Sequence, residues 1–67
     1  PKICNFFGII IWFVLEDHNP PPIHFTYSDY KCSINVLDRI VDGQVPVKVI
    51  VKVNEWIGLH EPEILPL

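Results

Sequence analysis

The sequence predicts a small α+β domain: a three-stranded antiparallel β-sheet packed on one face by a single C-terminal helix. Two observations carry the sheet. An apolar run from Phe6 to Leu15 stops at a proline-rich corner, and two alternating segments beyond it pair in one register. A third observation bears on the helix, for Val49, Val53, Trp56 and His60 fall on one helical stripe.

The first strand spans residues 5–15. Its content of Ile, Phe, Trp and Val suits a strand covered on much of both faces. Gly8 marks a bulge or a close backbone approach within it. Residues Glu16 to Pro22 end the ladder, because Pro20, Pro21 and Pro22 bring no backbone donors. Each proline also holds the residue before it in extended geometry. The corner Asp17-His18-Asn19-Pro20-Pro21 is therefore stiff, and a stiff corner holds side chains in place at little entropic cost.

Strands over residues 23–27 and 30–36 form a hairpin about Ser28-Asp29. Tyr27 then faces Tyr30, Phe25 faces Cys32 and Ile23 faces Ile34, and with Val36 these make one apolar face. On the other face His24 lies opposite Ser33 and Thr26 opposite Lys31, with Asn35 beyond. The turn is unusual, since tight hairpin turns prefer Gly or Asn where φ is positive.

From Leu37 to Gln44 the chain reads as a loop or irregular strand end, with Asp42-Gly43 as a turn signal. The next stretch supports two readings. Val45, Val47, Val49, Val51 and Val53 alternate with other residues in strict period two, which is a strand pattern. Against that, Pro46 suits a first helical position. Gly58 weakens the end of such a helix and Pro62 stops it, leaving Glu61 to Leu67 extended.

At 67 residues the chain is one domain, residues 1–67, and one so small buries only roughly 60% of its unfolded surface. Hydrophobic residues make up 49% of it, enough for one small core. Five Lys and Arg residues and a net charge of −3 argue against generic DNA binding, which draws on several phosphate contacts from basic groups. The apolar run is about half the ~20 residues that span a bilayer, and no secretory signal is visible. The expectation is a cytoplasmic protein that engages no membrane. Cys4 and Cys32 are too few for a four-cysteine zinc site.

Three stretches together carry a resemblance: Phe6-Phe7-Gly8-Ile9-Ile10-Ile11, the Asp17-to-Pro21 corner with His24 three residues on, and Glu55-Trp56 with Leu59-His60. From Ile3 to Leu65 the chain resembles one bacterial family, the domain of unknown function 4160. The resemblance implies a helix over residues 46–60 and decides that segment, which the local pattern alone would make a strand. Five β-branched residues cost such a helix ~2–3 kcal/mol relative to alanine, which tertiary burial offsets. The family brings no established activity. Its members are often encoded beside another small uncharacterised protein, which implies paired action of the toxin–antitoxin or regulatory kind. A protein partner or self-association follows as the expectation.

The resemblance also exposes departures. Members usually carry small non-cysteine residues where Cys4 and Cys32 stand, which implies free buried thiols rather than a disulfide. They often have glycine at the position of Ser28 and continue further in helix at the C-terminal end. They typically show His-Phe-His in place of Pro22-Ile23-His24, and basic residues where Asn5 and Trp12 stand.

Candidate chemistry rests on imidazole, the side chain that titrates near neutral pH without perturbation. His18 and His24 flank the stiff corner, and Lys31 shares the open face with His24. An acid–base pair with an ammonium nearby is what RNA cleavage needs, so His24, His18 and Lys31 are the catalytic candidates if the protein is an enzyme. Asp17 could orient His18, or both could simply cap the corner by bonding backbone amides. As a binding module, the protein would instead present Trp12, His24, Thr26, Lys31 and Ser33, provided Trp12 falls on the open face. Asp17, His18, His24 and His60 match no standard zinc spacing, so neither a metal nor any other cofactor is expected. Trp56 and His60 share a helix face, with Trp56 read as the anchor of the helix on the sheet.

Overall fold

A computed structural model of the chain describes residues 2–13 and 21–66, without the side chains of Lys2 and Ile3. Five strands and one helix follow in chain order: β1 (Lys2–Phe6), β2 (Ile9–Phe13), β3 (Ile23–Tyr27), β4 (Tyr30–Ile34), β5 (Val41–Asp42) and α1 (Val47–Ile64). The strands form one antiparallel meander in the order β1-β2-β3-β4-β5. The α+β class holds, but the sheet has five strands rather than three.

The apolar run expected as one strand folds back on itself at Phe7-Gly8. Both residues have positive φ, 52° and 75°, the signature of a type I′ turn, whose twist matches that of the paired strands. Gly8 is thus a turn residue, not a bulge. The turn was hidden because Phe7 occupies a position that Asn or Gly usually fills, in the middle of an unbroken hydrophobic run.

The β3–β4 hairpin has the expected register, with Tyr27 opposite Tyr30, Phe25 opposite Cys32 and Ile23 opposite Ile34. Ser28 takes φ 53° while Asp29 does not turn positive, the φ signature of a type II′ turn. β4 ends at Ile34, two residues short of the expected Val36. The next residues build a tight loop: the Asn35 side chain accepts from the amides of Leu37 and Asp38, at 2.8 and 3.3 Å. The chain then returns as β5, pairing Val41 with Ile34 and Asp42 with Ser33. Gly43, at φ 110°, passes so close to β4 that a Cβ there would meet Cys32 Sγ and the Lys31 carbonyl at 3.0 Å.

The helix reading of the valine-rich stretch holds. Val49 and Val53 are buried, whereas Val47 and Val51 stay exposed at 73% and 49%. A strand would have put all of them on one face. Pro46 is the N-cap, with φ −56° and ψ 144°, rather than the first helical residue. Pro62 does not stop the helix, which continues to Ile64 and closes with the Leu65 amide donating to the Glu61 carbonyl at 2.9 Å. The expected extended tail from Glu61 is therefore corrected. Pro62 gives up its bond to the Gly58 carbonyl, but only in the last turn, and Ile64 is 2% exposed beyond it. Burying such a side chain is worth ~1.5–3 kcal/mol, enough to offset one missing bond.

The core lies between helix and sheet: Ile9, Ile11 and Phe13 from β2, Ile23 and Phe25 from β3, and Cys32 and Ile34 from β4 meet Val49, Val53, Trp56, Ile57 and Ile64. Arg39, at φ 61°, ties the β4–β5 loop to the helix. Its Nε donates to the Val36 carbonyl at 3.0 Å and Nη1 to Asn54 Oδ1 at 3.0 Å, while Nη2 pairs with Glu61. Cys4 and Cys32 are both free thiols. Their strands are separated by β2 and β3, three interstrand steps or ~14 Å, well beyond the reach of a disulfide.

Candidate functional site on the open sheet face

Period-two alternation sends every other strand residue away from the helix. On β2, Ile9, Ile11 and Phe13 are buried, so Ile10 and Trp12 face outward. Ile10 is 42% exposed and Trp12 half-buried. On β3 the outward residues are His24 and Thr26, and on β4 they are Lys31 and Ser33. Register then assembles the face: Trp12 stands opposite His24, Ile10 opposite Thr26, Thr26 opposite Lys31 and His24 opposite Ser33.

Trp12 does fall on this face, and its ring stacks on that of His24 with centroids 5.6 Å apart and planes at 21°. Such a pair, on a face that no described element covers, makes a flat, partly polar platform. An aromatic pair of this kind adds ~0.5–1.5 kcal/mol beyond area burial and restrains both rings. His24 and Lys31 are diagonal neighbours rather than direct partners, a Cα spacing of ~7–8 Å. The hydroxyls of Thr26 and Ser33 lie beside them, so the face offers stacking, donors and acceptors side by side. The five residues expected as a binding surface therefore share one face.

Two further residues join it through strands that sequence reasoning missed. Asn5 pairs with Ile10 through β1, and Asp42 pairs with Ser33 through β5. Asn5 had no register until β1 was separated from β2. Asp42 was masked by its role in a turn signal, Asp42-Gly43, that turns out to sit at the end of a two-residue strand.

Of the corner motif, Asp17, His18, Asn19 and Pro20 lie outside the described residues, so the pairing of His18 with His24 falls there too. Pro21 is buried just ahead of β3. His60 belongs to the opposite side of the sheet. It stacks on Trp56 at 4.2 Å and 20°, and its Nδ1 lies 2.7 Å from the Trp56 carbonyl. A backbone carbonyl only accepts, so Nδ1 carries the proton and donates. Trp56 is an anchor in the core as expected, with its Nε1 lacking a hydrogen-bond partner among the described residues. No group of three or more His, Cys, Asp or Glu side chains able to hold a metal occurs among the described residues.

Cys32 is buried on the helix side, its Sγ donating to the Gln44 carbonyl at 3.4 Å. Burial pushes its thiol above the ordinary 9.0, and the negative charge of Asp42 adds to this. A thiol held protonated is a poor nucleophile. Cys32 is therefore a packing residue. No helix among the described residues is long and apolar enough to cross a membrane.

No curated protein and no solved structure matches the chain. A family profile described as Domain of unknown function (DUF4160) matches residues 8–66. That span runs from the turn glycine of the first hairpin through the last helical turn, nearly the whole chain, and the protein belongs to the DUF4160 family.

Proposed function

We propose that this domain is a bacterial, cytoplasmic protein-interaction module that works with a partner protein as one half of a regulatory pair of the toxin–antitoxin kind. The binding surface is the open sheet face, and Trp12, His24, Thr26, Lys31 and Ser33 carry it. The observation behind the proposal is the stacked Trp12–His24 platform beside the exposed Ile10, on a face that no described element covers. A sheet with one side uncovered and a small core also gains stability by mass action when a partner binds. Tryptophan is a residue type that dominates binding energy at interfaces.

The test is capture from an extract of the source organism by the immobilised chain, with Trp12→Ala and His24→Ala alongside. A stoichiometric protein held by the parent and lost by both variants, each still unfolding cooperatively, is the expected result. Retention by both variants would remove the open face from consideration. Growth of the host with the gene induced alone, beside a His24→Ala copy, separates binding from catalysis. Arrest by the parent and not by the variant, together with cleavage of RNA by the purified parent alone, would move the role of His24 and Lys31 from recognition to RNA cleavage.

A further inference from the structure

The two edges of the sheet are unlike. β5 is a two-residue strand followed directly by Gly43, with φ 110°, so that edge offers little to pair with. β1 runs five residues in unbroken register with β2 and contains no proline, glycine or bulge. Natural edge strands are usually blunted by those devices or by charge, and the one charged residue of β1, Lys2, stands at its first position opposite Phe13, leaving Ile3 to Phe6 uncharged. Among the described residues nothing pairs with the outer side of β1.

The two-residue turn at Phe7-Gly8 makes Phe6 and Ile9 a hydrogen-bonded pair. Antiparallel ladders alternate, so Cys4–Ile11 is also hydrogen-bonded, while Asn5–Ile10 and Ile3–Trp12 are not. The amides and carbonyls of Ile3 and Asn5 therefore point away from the sheet, symmetrically placed about Cys4.

We propose that β1 pairs antiparallel with β1 of a second copy of this chain, about a two-fold axis through Cys4. Ile3 of each copy then exchanges both backbone bonds with Asn5 of the other, which satisfies four donors and acceptors on each strand. Cys4 faces its own symmetry mate across a non-hydrogen-bonded position, at a Cα separation of ~4.5 Å. Lys2 falls opposite Phe6 of the mate, so no like charges meet. Cys4 and Phe6, half-buried at the rim of the core, gain cover from the same residues of the other copy. A second copy suits this edge because the strand is self-complementary in this register: Ile3 meets Asn5, Cys4 meets Cys4 and the single charge, Lys2, meets Phe6.

Pairing one short strand buries less than the ~1,200 Å² at the low end of stable interfaces, so the dimer is weak and concentration-dependent. It goes beyond the proposed open-face function and uses none of the residues that carry it.

Sedimentation and amide hydrogen exchange of the whole chain from about 10 µM to 1 mM test it. The expected result is growth toward twice the 7.8 kDa mass, with protection of the Ile3 and Asn5 amides rising in step. The Cys4 and Phe6 amides, bonded to β2, should be protected throughout. Asn5→Pro, which removes only an outward donor, should hold the chain monomeric, whereas Trp12→Ala should not. Diamide, which takes up the two thiol hydrogens as the disulfide forms, should cross-link the dimer through Cys4, and Cys4→Ser should abolish the cross-link. A monomer at 1 mM with fast-exchanging Ile3 and Asn5 amides would overturn the proposal. So would a dimer that Asn5→Pro leaves intact. Should Asn5→Pro fail to fold, the concentration dependence of the two amides decides alone.

Discussion

Trp12 and His24 stack across the β2–β3 ladder, yet neither ring belongs to the hydrophobic core. Their neighbours in sequence, Phe13 and Phe25, do. Recognition and stability are thus interleaved residue by residue and can be separated by mutation. His24→Ala is expected to cost no more than ~1 kcal/mol, the range of a cross-strand pair. Phe25→Ala is expected to cost ~3–5 kcal/mol and to unfold much of a domain this small. In a Trp56→Phe background, His24→Ala should also shift Trp12 fluorescence to the red as the indole loses its cover.

Ser28 adopts φ 53° at a turn position that suits glycine. A side chain in this region costs on the order of 1 kcal/mol. Ser28→Gly relieves that cost, less what glycine adds to the entropy of the unfolded chain. The expected outcome is a gain of a few tenths to ~1 kcal/mol, read as a rise in Tm of up to ~8 °C. A fall in Tm would show that the serine side chain contributes to the turn.

Arg39 binds the β4–β5 loop to two turns of the helix, through Asn54 and Glu61. Both members of its ion pair are partly exposed, at 28% and 41%, so the Coulombic share is small. The hydrogen bonds to Val36 and Asn54 carry the rest. Arg39→Ala is expected to lower stability by ~1–2 kcal/mol, and Glu61→Gln by less than ~1 kcal/mol. Urea denaturation of both variants checks the order, and an equal loss would assign the clamp to the ion pair.

The Cys32 thiol lies above its ordinary 9.0, chiefly through burial and secondarily through Asp42. The folded state therefore keeps a proton that the unfolded state releases. Its stabilising share is complete below pH 9.0 and is lost as pH rises through the elevated folded value. Tm should fall above about pH 9, and Cys32→Ala should flatten that fall. At neutral pH an alkylating reagent should modify the half-buried Cys4 well before Cys32. Reaction of both at one rate would place Cys32 at the surface.

The sequence by itself determined the β3–β4 hairpin, its register and the identity of its two faces. Alternation from Ile23 to Ile34 is strict, and a one-residue slip would expose Phe25 and bury Lys31. For Val45 to Val53 the local pattern alone favoured a strand, and the helix was expected only from the family resemblance. Only the tertiary structure decided the rest. The run from Phe6 to Phe13 has no polar punctuation, so its reversal depends on the ladder that β1 and β2 make and not on Phe7, a poor turn former. The valines from Val45 to Val53 fit both periods, and the helix prevails because it buries Val49, Val53 and Ile57 against the sheet. Pro62 should end a helix by local rules, but Ile64 beyond it has a place in the core. Trp12 became part of a site only when pairing with β3 set it over His24. Local pattern specifies a segment where one face is clearly apolar. Where a segment is apolar throughout, or fits two periods, the burial available from the rest of the chain makes the choice.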